Sequence, residues 1–274
     1  MIDPGLDGRV ALVTGANQGI GAATARALAA EGVAIFLTYL RLDPAEHAGE
    51  AAYPPEYGQL RADTADHVVD QIRGAGGAAQ CLEADLAVPT VPGLLFDRAE
   101  AALGPVEILV NNASGWLADT FLPEQHDRFG RALGPVDAQS HDRQFGVDAR
   151  APALLIAEFA RRHIRRGAGW GRIIGLASGG PGGFPREVSY GAAKAAQENY
   201  TMSAAQELGR YGVTANMVHP PATDTGWVTP AVEQAASASS PLRRLAHPDD
   251  VAEVITLLAS HQARHITGQV IRMA

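Results

Sequence analysis

Tyr190 and Lys194 stand four residues apart, and Lys194 is the only lysine in a chain that otherwise uses Arg. On a helix the two side chains share one face, one turn apart. An ammonium beside a phenol favours the phenolate and draws the phenol down from its ordinary pKa of about 10. An ammonium can also hand protons on, which a guanidinium does not do. The pair therefore has the makings of a tuned acid/base. It lies in the stretch 178–194, which opens with Ser178 followed by two glycines.

Such a pair needs a partner that reacts and elements that hold it. Residues 9–14 form a short apolar run with β-branched members, read as a buried strand. The sequence Thr14-Gly15-Ala16-Asn17-Gln18-Gly19-Ile20-Gly21 follows at once, and an Ala-rich helix runs over 22–31. Strand, glycine turn and helix form the context of a dinucleotide loop. Gly15 allows the tight turn, Gly19 lets backbone approach a pyrophosphate, and Gly21 lets helix and strand pack closely. The helix N-terminus offers N–H groups and partial positive charge to phosphates. The second strand, 33–39, ends at Tyr39 with no carboxylate, and Arg41 follows two residues on. That favours NADP(H), with its 2′-phosphate, while NAD(H) stays possible.

Residues 42–62 form a longer connection than such units use, an insertion beside the adenosine end. Further strands are expected at 78–83, 106–110, 172–177, 213–218 and 267–272. Helices are expected at 63–75, 90–103, 139–166, 190–208 and 247–260. A polar irregular segment covers 115–137, and a small-residue loop covers 221–246. Alternating strands and helices imply an α/β fold: a Rossmann-type, doubly wound parallel sheet of about seven strands in three αβα layers, one domain over 1–274.

The formal charge of −8 and pI of about 5.6 give no basic footprint for nucleic acid. No stretch is apolar for the length of a membrane span, and the first residues lack a signal peptide's pattern. A soluble, cytoplasmic protein is expected. One cysteine, Cys81, reads as a buried strand residue, and the nine histidines show no metal-ligand spacing.

Taken together, these residues resemble the short-chain dehydrogenase/reductase family, and within it the 3-oxoacyl-carrier-protein reductase-like group. The motifs are the glycine loop, Asp85, Asn111-Asn112-Ala113, Ser178, Tyr190-x-x-x-Lys194, and Pro220 with Thr225. The resemblance implies a ketone/secondary-alcohol oxidoreductase with Tyr190 as general acid/base. Lys194 would lower its pKa and bond the nicotinamide ribose, and Ser178 would position the substrate oxygen. Asp85 and Leu86 would bind around the adenine, Asn112 and Ala113 along the ribose, and Thr223 and Thr225 near the nicotinamide and phosphates. A homo-oligomer, dimer or tetramer, is implied as well. Asn111 reads as a sheet brace, and Asp85 can also be a helix cap. Trp227 can line a pocket or anchor packing. Arg161, Arg162, Arg165 and Arg166 can form either a docking patch or a solvated face.

Departures from the pattern carry weight. Asp148 stands where the family has an Asn whose backbone carbonyl serves a proton relay. Its carboxylate would hold the Lys194 ammonium charged. Ser114 and Pro221 replace glycines, and Pro221 stiffens the entry to the substrate loop. These changes motivate an alternative, a catalytically impaired binding or regulatory protein on the same fold.

Overall fold

The computed structural model describes residues 3–43, 45, 53–54, 56–180 and 182–274. Met1 and Ile2, Pro181, and residues 44, 46–52 and 55 of the 42–62 insertion lie outside them. Seven strands build the main sheet: β1 (Val10–Thr14), β2 (Ala34–Tyr39), β3 (Ala79–Glu83), β4 (Ile108–Asn111), β7 (Gly171–Leu176), β8 (Val213–His219) and β9 (Val270–Arg272). A separate short parallel pair, β5 (Asp119–Thr120) and β6 (Gly134–Pro135), sits in the 115–137 segment that reads as irregular from sequence. The main sheet is parallel throughout, in the order β3-β2-β1-β4-β7-β8-β9. β1, β4 and β7 are buried along their whole length, as continuous apolar runs covered on both faces require.

Nine helices are described: α1 (Gly19–Ala30), α2 (Tyr57–Ala62), α3 (Asp66–Gly74), α4 (Val91–Leu103), α5 (Ala138–Phe145), α6 (Ala151–Arg165), α7 (Val188–Leu208), α8 (Pro230–Ser239) and α9 (Pro248–Ala259). On one face of the sheet Leu28, Val68, Ile72, Val251 and Ile255 bring α1, α3 and α9 against alternate strand residues. On the other, Leu95, Phe96, Leu155, Phe159 and Leu208 do the same for α4, α6 and α7. Each large side chain so buried stabilises the fold by about 1.5–3 kcal/mol.

Three differences from the sequence expectations bear on the site. The 139–166 helix is interrupted: Gly146–Arg150 forms a π-turn between α5 and α6. The insertion contains α2, and the 221–246 loop contains α8. Neither shows apolar periodicity in the sequence because neither packs a stripe into the core: α2 buries no residue and α8 only Val232. Strand order reverses between β1 and β4, so the crevice beyond their carboxyl ends is where a ligand fits. Among the described residues no helix is long and apolar enough to cross a membrane.

Candidate active site

The glycine loop is held from β4. Thr14 Oγ1 accepts from the backbone N–H groups of Asn112 and Ala113, 3.0 Å each. Asn112 Nδ2 donates to the carbonyls of Thr14 and Gly15, 2.9 Å each. This clamp explains why Gly21 has no side chain. A Cβ there would drive into the Gly15 carbonyl and stand 2.6 Å from Asn112 Nδ2. Gly19 has φ of 54°, and a Cβ on it would lie 2.9 Å from Thr225 Cγ2, so the two walls of the crevice meet at its backbone. No side chain caps the N-terminus of α1, which leaves its first-turn N–H groups facing the crevice. An uncapped helix end and a glycine cradle that a Cβ would fill fit the phosphates of a dinucleotide.

A cleft of about 1150 Å³ runs from this loop to Tyr190. Gly15, Asn17, Gln18, Gly19, Ile20 and Tyr39 line it at one end. Asp85, Leu86, Asn112 and Ala113 line it as well, as do Pro220, Thr223 and Thr225. Gly21 lies under the loop. Arg41 is held elsewhere: its Nε lies 3.1 and 3.0 Å from the two Glu83 carboxylate oxygens, and it does not line the cleft. Asp85 accepts from Ala87 N–H at 2.8 Å, a local turn, and Thr90 takes the cap position of α4.

Ser178, Tyr190 and Lys194 meet at the deep end. Lys194 is buried; its Nζ lies 3.1 Å from Asp148 Oδ1 and donates to Gln197 Oε1 at 3.0 Å. Gln197 Nε2 donates to the Asn111 carbonyl at 3.3 Å. Asp148 Oδ2 accepts from Gly115 N–H at 2.7 Å. The π-turn brings Asp148, fully buried, behind the ammonium. Burial works against the Lys194 charge, but Asp148 and then Tyr190 outweigh it, so the ammonium is held above the ordinary lysine range.

The phenol differs from expectation. Lys194 does pull Tyr190 down, yet burial pushes harder the other way, aided by Asp148 and Glu187, so the phenol lies above 10. Sequence reasoning weighed only the lysine. Gln197 was also missed, although its position three residues after Lys194 on the same helix is a legible signal.

Over the phenol, Trp116 Nε1 donates to Glu187 Oε2 at 2.8 Å, and Arg131 donates to Glu187 Oε1 at 3.0 Å. Arg131 also binds Asp127 at 2.6 Å and sits 5.4 and 5.8 Å from the Trp116 and Trp227 rings. The Phe184 ring centre lies 6.1 Å from that of Tyr190. Trp227 both lines the cleft and is anchored by Nε1 to the Thr223 carbonyl at 3.0 Å. His219 Nε2 donates to the Gly179 carbonyl at 2.7 Å, a brace for the turn after Ser178. Within the arginine patch, Arg161 and Arg162 pair with Glu158, and Arg162 also with Asp97 and Glu100.

Sequence comparisons agree with this geometry. The family described as short chain dehydrogenase matches residues 9–53, and that described as Enoyl-(Acyl carrier protein) reductase matches residues 58–273. An uncharacterized oxidoreductase of Bacillus subtilis, YjdA, is 34% identical over 96% of this chain and 94% of its own. The cis-4-hydroxycyclohexanecarboxylate dehydrogenase of Sinomonas cyclohexanicum is 35% identical over 96% of this chain and 94% of its own. The crystal structure of the angucycline C-6 ketoreductase LanV with bound NADP superposes with a TM-score of 0.78 at 29% identity, over 97% of this chain and 94% of that one. The chain belongs to the short-chain dehydrogenase/reductase family of oxidoreductases.

Proposed function

We propose that the protein is an NADP(H)-dependent oxidoreductase that interconverts a small-molecule ketone and a secondary alcohol. The observation that carries this is the meeting of Ser178, Tyr190 and Lys194 at the deep end of the cleft whose other end is the glycine loop. The bound nicotinamide supplies or takes the hydride. In reduction Tyr190 gives its proton to the oxygen of the carbonyl as charge builds there. The raised phenol pKa keeps that proton available at neutral pH. Ser178 donates to the same oxygen and fixes its place. Lys194 stabilises the phenolate left behind, and Asp148 holds the ammonium in place. Asn17, Gln18, Gly19 and Ile20 hold the pyrophosphate, and Asp85 and Leu86 bracket the adenine.

Trp116, Phe184 and Trp227 make the wall over Tyr190 aromatic, which suits a ring-bearing or otherwise apolar ketone. The LanV ketoreductase and the hydroxycyclohexanecarboxylate dehydrogenase point to the same class. A 3-oxoacyl thioester is the narrower candidate. On this reading the chain is one domain, residues 221–246 form the substrate loop, and the protein works in the cytoplasm as a dimer or tetramer.

The test is turnover of NADPH or NADH with a panel of cyclic ketones, β-ketoacyl thioesters and quinones. Tyr190→Phe should lose about 10²–10⁴-fold in kcat while keeping nucleotide binding. No turnover above that variant for any substrate refutes the proposal. The second reading, a cofactor-binding protein with impaired chemistry, draws on the Asp148–Lys194 pair and the raised phenol; nucleotide binding without turnover would favour it.

A further inference from the structure

Four described residues of the 42–62 insertion contribute a third wall to the adenosine end of the cleft. Leu42, Tyr53, Tyr57 and Arg61 line it beside Tyr39 and Leu40. The Tyr53 and Tyr57 rings stack with centres 5.0 Å apart and planes 12° from parallel. The Arg61 guanidinium lies 5.4 Å from the centre of the Tyr57 ring.

This wall is tied to both sides of the crevice. Asn17 Nδ2, in the glycine loop, donates to the Asp63 carbonyl just past α2 at 3.0 Å. Leu42 N–H donates to the Arg61 carbonyl at 3.1 Å, which fixes α2 to the chain leaving β2. On the far side Leu60 packs on Gly226, where a Cβ would come within 2.6 Å of Leu60 Cδ1. The helix thus spans from the glycine loop to the loop after β8.

Arg41 is differently placed. Its side chain and its backbone N–H both address Glu83, with the NH2 group 2.9 Å from Oε2. Glu83 is fixed opposite Tyr39 by the β2–β3 register. To bind a phosphate dianion Arg41 would have to leave that carboxylate, and the carboxylate would then face the dianion. Arg61 carries its charge on the cleft side of the same end, on a tyrosine shelf.

We propose that Arg61, on the Tyr57 shelf of α2, recognises the adenosine 2′-phosphate, and that Arg41 does not. This rests on the dinucleotide-dependent function proposed above. It assigns the choice of NADP(H) to the insertion, with the helix pinned across the groove so that the guanidinium is held in place before the nucleotide arrives.

The test is equilibrium binding of NADPH and NADH, read by tryptophan fluorescence quenching, and of 2′,5′-ADP and 5′-ADP, read by thermal shift. The last two lack nicotinamide and so report the adenosine end alone. Wild type should prefer the 2′-phosphorylated member of each pair. Arg61→Ala should weaken NADPH and 2′,5′-ADP by on the order of ten- to a hundredfold. NADH and 5′-ADP should change little, and Arg61→Lys should recover part of the loss. Arg41→Ala should leave all four unchanged. The proposal is overturned if Arg41→Ala carries the loss, or if Arg61→Ala weakens both members of a pair equally, the mark of a brace for α2. It is also overturned if wild type shows no 2′-phosphate preference; Tyr190-dependent turnover would then still uphold the oxidoreductase. Wild type that binds none of the four sinks both.

Discussion

Asp148→Asn removes a carboxylate oxygen 3.1 Å from Lys194 Nζ and changes the side-chain volume little. Two unit charges at that spacing attract by about 5 kcal/mol at an effective dielectric of about 20. Desolvation cancels part of this for a buried pair, but the direction of the effect stands. Asp148 raises both Lys194 and Tyr190, so its neutralisation lowers both. In alcohol oxidation the rate rises with pH as the Tyr190–Lys194 pair gives up its proton. That limb belongs to the pair and moves to lower pH in the variant. The assay is kcat/KM for alcohol oxidation against pH, with nucleotide affinity measured alongside and expected to hold. A second readout is stability. The carboxylate accepts from Gly115 N–H with one oxygen and ion-pairs with the ammonium through the other, while Asn has one oxygen and must set its NH2 against one of them. A loss of about 1–3 kcal/mol follows, a fall in Tm of a few degrees. A limb that stays put, or moves to higher pH, would refute the electrostatic argument and leave Asp148 with its backbone carbonyl and its bond to Gly115 as roles.

Gly21→Ala should cost about 1–3 kcal/mol and weaken nucleotide binding, because the new methyl meets the Gly15 carbonyl and Asn112; an unchanged Tm and affinity would contradict the clamp. Glu187→Gln keeps one acceptor where Trp116 and Arg131 now use two oxygens, so KM for the ketone should rise while NADPH affinity holds. Glu187 also raises Tyr190, so the same variant should move the oxidation limb to lower pH. Tyr190 and Lys194 both bind their protons more tightly folded than unfolded. Their stabilisation is complete below their unfolded values of about 10 and disappears as pH climbs through the folded ones. Tm should therefore fall above about pH 10, and less steeply in Tyr190→Phe; identical slopes would contradict this.

The central strands were legible because burial on both faces demands continuous apolar runs, as in 9–14 and 213–218. The glycine loop was legible because its spacing follows from one local turn. What sequence did not reveal depends on register and long-range meeting. Arg41 is two residues past β2, where a 2′-phosphate ligand is expected, but only the β2–β3 pairing shows that Glu83 is its partner. Glu187 and Arg131 are 56 positions apart and carry no local signal. α2 is six residues long, too short for a periodic pattern to declare itself.

The wide turn at Gly146–Arg150 has a consequence for helix phase. Ser140, Gln144, Asp148 and Pro152 are all buried, at steps of four residues. A regular helix advances about 100° per residue, so steps of four would carry this stripe about 40° further round at each repeat. The five-residue turn absorbs that drift. It lets one stripe hold Asp148 behind Lys194 while Leu155 and Phe159, further along, still face the sheet. Deleting a single residue from the turn would return the helix to its ordinary period. The sheet contacts of α6 and the carboxylate behind Lys194 could then no longer be kept together.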